Sequence, residues 1–282
     1  MKKILTIIVG AMFLSGCSTL SQKQDSTSSL EQNKRATDSS FEQRMKLARK
    51  PYAFLAVDYM NVAEGKKELY LEVEAAWEKI HQKMAAEGKI LSWGLAKARD
   101  NKFGYKYITW KLLRSRGALD NLYDMEAIKQ RMGEDKFEEL MAKTTDSREI
   151  SASELMALED YTLLPLSESN HQVDPKNLLL HMDYMTPAEG KEQEYAEMEK
   201  NVFQPRHQKS SELNPSFQYW RFYRKISHSG DANKALYRTA NIFRKDVKPP
   251  SDKEMEKVNS QLPEFPEGLT YEEVMKIRKM ER

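Results

Sequence analysis

Cysteine is almost absent from this chain of 282 residues, with Cys17 the single example. One thiol forms no intrachain disulfide and builds no cysteine-based zinc site, so any folded part must be held by its apolar core. Long apolar runs are missing too. The longest, Ile4 to Leu14, is broken only by Thr6 and Gly10, far short of the roughly 20 residues that span a bilayer. An excess of one charge is also lacking: 45 basic side chains face 43 acidic ones, which gives no electrostatic reason to expect nucleic acid as a partner. There is no Gly-x-Ser-x-Gly, no His-x-x-x-His, no acidic calcium loop and no glycine-rich phosphate loop. Those absences remove the recognisable signatures of serine hydrolases, zinc enzymes and nucleotide-binding proteins, and the expected metal content is none. No cofactor is named by any motif.

What is present begins at the amino terminus. Lys2 and Lys3 precede the apolar run, and Leu14-Ser15-Gly16-Cys17 follows it. This arrangement resembles the lipobox of bacterial lipoprotein signal peptides, in which the cysteine is lipidated and becomes the first residue. The resemblance implies a signal peptide over 1–16, a lipid on Cys17 as the membrane partner, and a place in the cell envelope. In a two-membrane envelope, Ser18 stands where an aspartate would resemble an inner-membrane retention signal, which favours the outer membrane, with its periplasmic face expected; in a one-membrane envelope the expectation is the outer face of that membrane. Removal of the leader takes Lys2 and Lys3 and no acid, leaving 43 side chains of each sign. Residues 18–40 are rich in Ser, Thr, Gln and Lys and hold no aromatic residue, so 17–40 reads as a lipidated tether, about 25 Å long as a flexible coil.

Beyond the tether the chain repeats itself. The thirteen residues from Asp58 and the thirteen from Asp183 share eight identities, where composition alone gives about one. After one inserted residue, His81-Gln82-Lys83 meets His207-Gln208-Lys209, then Trp93 falls opposite Trp220 and Tyr107 opposite Tyr237. Further on, Phe137 to Met141 matches Tyr271 to Met275, an alignment that sets Arg282 against Arg148 and leaves copy two without a counterpart of 149–164. Two repeats, 41–170 and 171–282, are expected. In each, a short strand (Phe54 to Met60; Leu178 to Met185) leads through a Gly-Lys turn into an amphipathic helix. Two strands follow (Ile90 to Ala98 and Tyr105 to Leu113; Phe217 to Ile226 and Ala235 to Phe243). The helix of copy two is expected to break at Pro205. A second helix is expected over about Asp120 to Lys143, then a possible fourth strand over Leu155 to Leu164, with 149–164 alternatively a connector. Ser227 to Gly230 reads as a hairpin turn.

This order is the split β-α-β arrangement of ferredoxin-like folds. The fold class is therefore α+β: two tandem ferredoxin-like repeats forming a pseudo-dimer within one chain, the second lacking its last strand and leaving a sheet edge to be covered. With Asp58-Tyr59-Met60, Gly65-Lys66, Trp77, Ile80-His81-Gln82, Gly88-Lys89-Ile90 and Trp93-Gly94-Leu95, the chain resembles uncharacterised exported bacterial proteins of the dimeric α+β barrel superfamily. That resemblance includes antibiotic monooxygenases and haem-degrading enzymes, so it implies a fold far more than a reaction.

The candidate ligand-binding residues are those repeated between the copies: Asp58, His81, Trp93 and Tyr107, with Asp183, His207, Trp220 and Tyr237. Each histidine is read either as a proton-transfer or ligand contact titrating near neutral pH or as a partly buried helix residue. Each aspartate is read either as a polar contact, with His181 beside Asp183, or as a cap on the following turn. The aromatic residues either pack the core or line a cavity. Three functions stay open: binding of a small, partly apolar ligand; a cofactor-free monooxygenase-like or haem-handling enzyme; or a structural, protein-interaction role in the envelope.

Overall fold

The computed structural model describes residues 54–99, 104–163, 174–230 and 233–281, and the strand path of 6–10. Cys17, the tether and the rest of the leader lie outside the described residues, as does His171 and the 100–103 hairpin tip.

Period-two alternation decides which way each strand faces. In β2 (Phe54–Val62), Leu55, Val57 and Tyr59 point to one side and Ala56, Asp58 and Met60 to the other. Helix α1 (Lys67–Ala86) lays Tyr70, Val73, Trp77, His81 and Met84 along one buried face, at the three- and four-residue spacing of a single stripe. It covers the Asp58 side of β2, together with β3 (Ser92–Ala98) and β4 (Tyr107–Leu113). The expected second helix is two, because Gly133 takes a φ of 87° between α2 (Met125–Met132) and α3 (Glu134–Ser147). The fourth strand exists and is longer than expected: β5 runs Arg148–Tyr161 directly out of α3.

Repeat two follows the same order with β6 (Leu178–Pro187), α4 (Glu192–Met198), α5 (Gln204–Leu213), β7 (Phe217–Gly230), β8 (Tyr237–Arg244), α6 (Asp252–Asn259), α7 (Tyr271–Ile277) and β9 (Arg278–Glu281). Pro205 does not break the helix. A π-helical turn, Glu199–Phe203, joins α4 to α5, and Pro205 falls in the first turn of α5, where its missing N–H costs little. The π turn is where the single residue inserted between the copies is absorbed. Ser227 to Gly230 is not a turn but the end of β7, paired with Ala152 to Leu155 of β5. The missing last strand of repeat two is present in short form: β9 pairs four residues with Tyr184 to Pro187.

Each repeat orders its strands in the ferredoxin-like way, β5-β2-β4-β3 and β9-β6-β8-β7, and β5 pairs with β7 to join the sheets. The helix-free faces of the two sheets enclose a shared core of Leu55, Val57, Tyr59, Met156, Leu180, Tyr184 and Ile242. The fold is thus an α+β barrel made by duplication. At its centre Glu154 of β5 accepts hydrogen bonds from Tyr59 and from Arg238 of β8, with both side chains of the ion pair fully buried. On the far side, β1 (Thr6–Gly10) lies between β3 and β6, antiparallel to both. Among the described residues no helix is long and apolar enough to cross a membrane.

Candidate functional site

The helix-covered face of repeat one holds a cavity of about 180 Å³ lined by Asp58, Met60, Glu74, Trp77, His81, Trp93, Thr109, Lys111, Tyr123, Met125, Arg148 and Ile150. Four of these residues, Asp58, Lys111, Tyr123 and Ile150, also border a shallower cavity of about 440 Å³ that reaches Ser153, Glu154 and the Ser227-His228-Ser229 end of β7. The Asp58–Lys111–Tyr123 group therefore stands between an inner chamber and an outer vestibule.

Strand register builds the polar wall. Asp58 and Thr109 are cross-strand partners in β2 and β4, and Lys111 shares the face of Thr109 two residues on. Lys111 Nζ donates to Asp58 Oδ2 at 2.7 Å, and Ser153 Oγ donates to Asp58 Oδ1 at 2.6 Å. Burial pushes the Asp58 carboxyl up, but the Lys111 ammonium and the two hydrogen bonds outweigh it and leave its pKa lowered. Burial likewise works against the Lys111 charge, and the carboxylate of Asp58 more than compensates. Both groups are charged at neutral pH. A second pair lies beside them: Arg148 Nε donates to Glu74 Oε1 at 2.9 Å, with Glu74 only 3% exposed.

The aromatic wall rests on α1. His81 stacks on Trp93 at 5.0 Å between centroids and 8° between planes, with Trp77 and Tyr123 edge-on to each other beside it. His81 Nε2 and Tyr123 Oη share a 2.7 Å hydrogen bond. Burial, reinforced by the Lys111 charge, pulls the His81 pKa down to about 3. The expectation of an imidazole titrating near neutrality is thereby corrected. Burial also raises the Tyr123 phenol, so at neutral pH the bond joins a neutral phenol to a neutral imidazole. Trp77 Nε1 donates to Thr144 Oγ1 at 3.1 Å, which fixes the indole in the wall.

Of the residues singled out in repeat one, the cavity brings Asp58, His81 and Trp93 together. Tyr107 is elsewhere, packed on Tyr70 at 4.7 Å in the cluster with Met60 and Val62. Repeat two keeps the framework and buries its tryptophan. His207 stacks on Trp220 at 5.1 Å and 17°, with Phe203 in the place of Trp77, but Trp220 and Phe222 are fully buried. Burial, with Arg278 and Arg206 nearby, lowers His207 to about 4. Asp183 accepts from Thr239 and Asn241, with Asn241 standing where repeat one has Lys111. Tyr237 stacks on Phe222.

Five residues of the site were not singled out from sequence: Glu74, Lys111, Tyr123, Arg148 and Ser153. For Glu74 and Arg148 a signal existed and was misread. Strand pairing sets Arg148 opposite Val62 and Arg278 opposite Pro187, so Arg278, not Arg282, is the counterpart of Arg148. Arg278 then meets Glu199 at 2.6 Å, as Arg148 meets Glu74. The Glu-Arg pair recurs in both copies and was hidden by a four-residue misalignment. Lys111, Tyr123 and Ser153 have no such repeat signal.

Among the described residues no three His, Cys, Asp or Glu side chains gather as a metal site. Haem does not fit the chamber either. A chamber of about 180 Å³ is too small for the macrocycle, and His81 Nε2 is held by Tyr123.

No protein-family model matches the chain, and no curated protein does. Among solved structures, a candidate monooxygenase from Lactobacillus acidophilus is similar at 13% identity, covering 75% of this chain and 89% of its own, with a TM-score of 0.43. A candidate monooxygenase from Fusobacterium nucleatum is similar at 13% identity, with 75% and 82% coverage and a TM-score of 0.44. An anthrone oxidase-like protein reaches 10% identity, with 83% and 90% coverage and a TM-score of 0.39. Likenesses this distant transfer neither an activity nor a residue role.

Proposed function

We propose that the chain is a lipid-anchored envelope protein whose first repeat binds a small, partly apolar, uncharged molecule. The carrying observation is the contrast between the two copies: one fold, one Glu-Arg pair and one His-Trp stack, but the stacked tryptophan borders an open chamber in repeat one, whereas Trp220 and its neighbour Phe222 are fully buried in repeat two. The open chamber is balanced in charge, two carboxylates against two cations, so it offers a net charge to no ligand. Its floor of Trp77, Trp93, Met60 and Met125 suits a flat apolar body, and Lys111 and Thr109 present donors to a polar end. Proton-transfer catalysis is disfavoured, because a histidine held at about 3 is a weak base at neutral pH. The lipobox at Cys17 supports anchoring at the periplasmic face of the outer membrane through the tether of 17–40.

The test uses the full chain in mild detergent, screened by ligand-observed NMR against small phenols, indoles and neutral aromatic alcohols. Binders from these classes are expected to lose at least tenfold in affinity on Trp93→Ala and to be indifferent to Trp220→Phe. Lys111→Met should weaken ligands with an acceptor at the polar end, and should also destabilise the fold by about 3–5 kcal/mol by leaving Asp58 buried without its partner. Asp58→Asn combined with Lys111→Met should recover most of that loss in urea denaturation. Absence of any binder, or equal effects of Trp93→Ala and Trp220→Phe, overturns the reading.

A further inference from the structure

The duplication allows each strand to be compared with its twin, and one strand has no twin of its own. In repeat one, β5 is a single strand of fourteen residues. Its first part, Arg148 to Ile150, pairs with Met60 to Val62 at one end of β2; its middle lies between β2 and β7, with Met156 opposite both Leu55 and Lys225 and Ala157 opposite both Phe54 and Arg224. In repeat two the first part is β9, four residues along the matching end of β6. The middle part is supplied from elsewhere. Ile7 lies opposite Leu180 and Ala98, and Ile8 opposite Leu179 and Lys97. By the alignment of the repeats these are the same four positions: Leu180 matches Leu55, Ala98 matches Lys225, Leu179 matches Phe54 and Lys97 matches Arg224. Thr6–Gly10 therefore runs in the line and direction of β9 and takes the place that Met156 to Leu158 hold in repeat one.

The gap it fills is one strand wide and open on both walls. Ala98 N–H donates to the Lys106 carbonyl on the β4 side, so the alternation of an antiparallel strand turns the N–H and C=O of Lys97 and Leu95 toward the gap. Two facing edges with unpaired main-chain groups are a template for one added strand.

We propose that the β3–β6 gap is a strand-acceptor site. In the chain that leaves the ribosome its occupant is Thr6–Gly10; once the leader is removed its occupant is an extended segment of another polypeptide, rich in β-branched aliphatic residues as Thr-Ile-Ile-Val-Gly is. This rests on the proposed removal of the leader before Cys17. It is distinct from the ligand chamber, which lies under α1 of repeat one. A membrane tether and a strand-acceptor on the same molecule would hold a partner protein at the envelope by main-chain pairing.

The experiment starts from the gene product purified from membranes in mild detergent. Its intact mass shows whether it begins at lipidated Cys17. In that form the amides of Lys97 and Leu95 should exchange rapidly with deuterium. Addition of a synthetic peptide of residues 2–10, kept soluble by Lys2 and Lys3, should slow them, with a saturable anisotropy signal. An Ile8→Pro peptide and a Lys97→Pro protein each lose main-chain donors to the gap, and each should bind about tenfold more weakly. Lys97 is exposed and its N–H faces away from β4, so the Pro variant should keep the melting temperature of the parent. Amides already protected without peptide show a barrel that closes on itself or on a second copy, and overturn the proposal, as does a peptide whose binding ignores both proline changes. A mass that retains Met1 sinks the anchoring reading by itself; protection of Lys97 and Leu95 in that form would make Thr6–Gly10 a permanent strand and overturn the partner reading too.

Discussion

At the residue scale the two repeated histidines are held neutral by their surroundings, and this has a measurable consequence. An unfolded histidine titrates near 6.5, whereas His81 is lowered to about 3 and His207 to about 4 in the fold. Between those values the unfolded chain binds protons that the native chain refuses. Stability is therefore fully present above pH 6.5 and drains away as the pH falls toward 3–4. From pH 7 to pH 5 each histidine should cost about 2 kcal/mol. Unfolding free energies from urea at the two pH values are expected to converge by about that amount in His81→Gln, which keeps a side-chain hydrogen-bonding group beside Tyr123 but does not titrate. An unchanged pH slope would show that His81 is solvated and protonated in the fold. The sequence identified both histidines through their repetition. It did not reveal the environment that sets their pKa, since Lys111 is 30 residues from His81 and reaches it only through the pairing of β2 with β4.

At the element scale the informative feature is the one-residue difference between the two first helices. An extra residue in an α-helix turns every later side chain by about 100°, which would carry His207 off Trp220. The π turn at Glu199–Phe203 absorbs the extra residue and returns His207 to the face that His81 occupies. Deleting the exposed Asn201 should therefore restore a regular helix of the repeat-one kind, with His207 still stacked on Trp220. The deleted variant is expected to melt within a few degrees of the parent by circular dichroism. Inserting an alanine beside Asn201 should lower the melting point by far more. Equal losses from both changes would mean that the π turn is needed for itself. The insertion was legible from sequence; its resolution as a π turn was not, because helix periodicity carries no record of how a surplus residue is accommodated. The reading of Pro205 as a break failed for a related reason: proline interrupts a helix interior but is accepted in a first turn, and only the structure shows that a new turn begins there.

At the scale of the whole molecule the seam between β5 and β7 binds the repeats, with the Glu154–Arg238 pair buried behind it. Gly230 closes that seam in a left-handed conformation, φ 65°, and a Cβ there would sit 2.2 Å from the Ser151 carbonyl oxygen. Neither a side-chain rotation nor a different rotamer relieves a clash with backbone. Gly230→Ala should cost about 1–3 kcal/mol, measured by urea denaturation, and should speed amide exchange along Ala152 to Leu155. A neutral effect would show that the seam ends before Gly230.

The sequence by itself determined the duplication, the α+β class, the order of elements and the faces of the strands, because apolar periodicity and internal identity are local properties of the chain. It also named three of the residues that meet in the chamber, Asp58, His81 and Trp93, since repetition marks positions tied to the common framework. Tertiary structure alone decided that Trp93 borders an open chamber while its twin Trp220 is fully buried. Glu74 and Arg148 come from different elements of repeat one, Lys111 has only Asn241 as its twin, and Phe203 takes the place of Trp77 only because a helix irregularity restores the register. It also decided where the amino-terminal segment meets the barrel, because main-chain hydrogen bonding across a strand-wide gap depends on edges brought together by folding and scarcely on the side chains that a sequence displays.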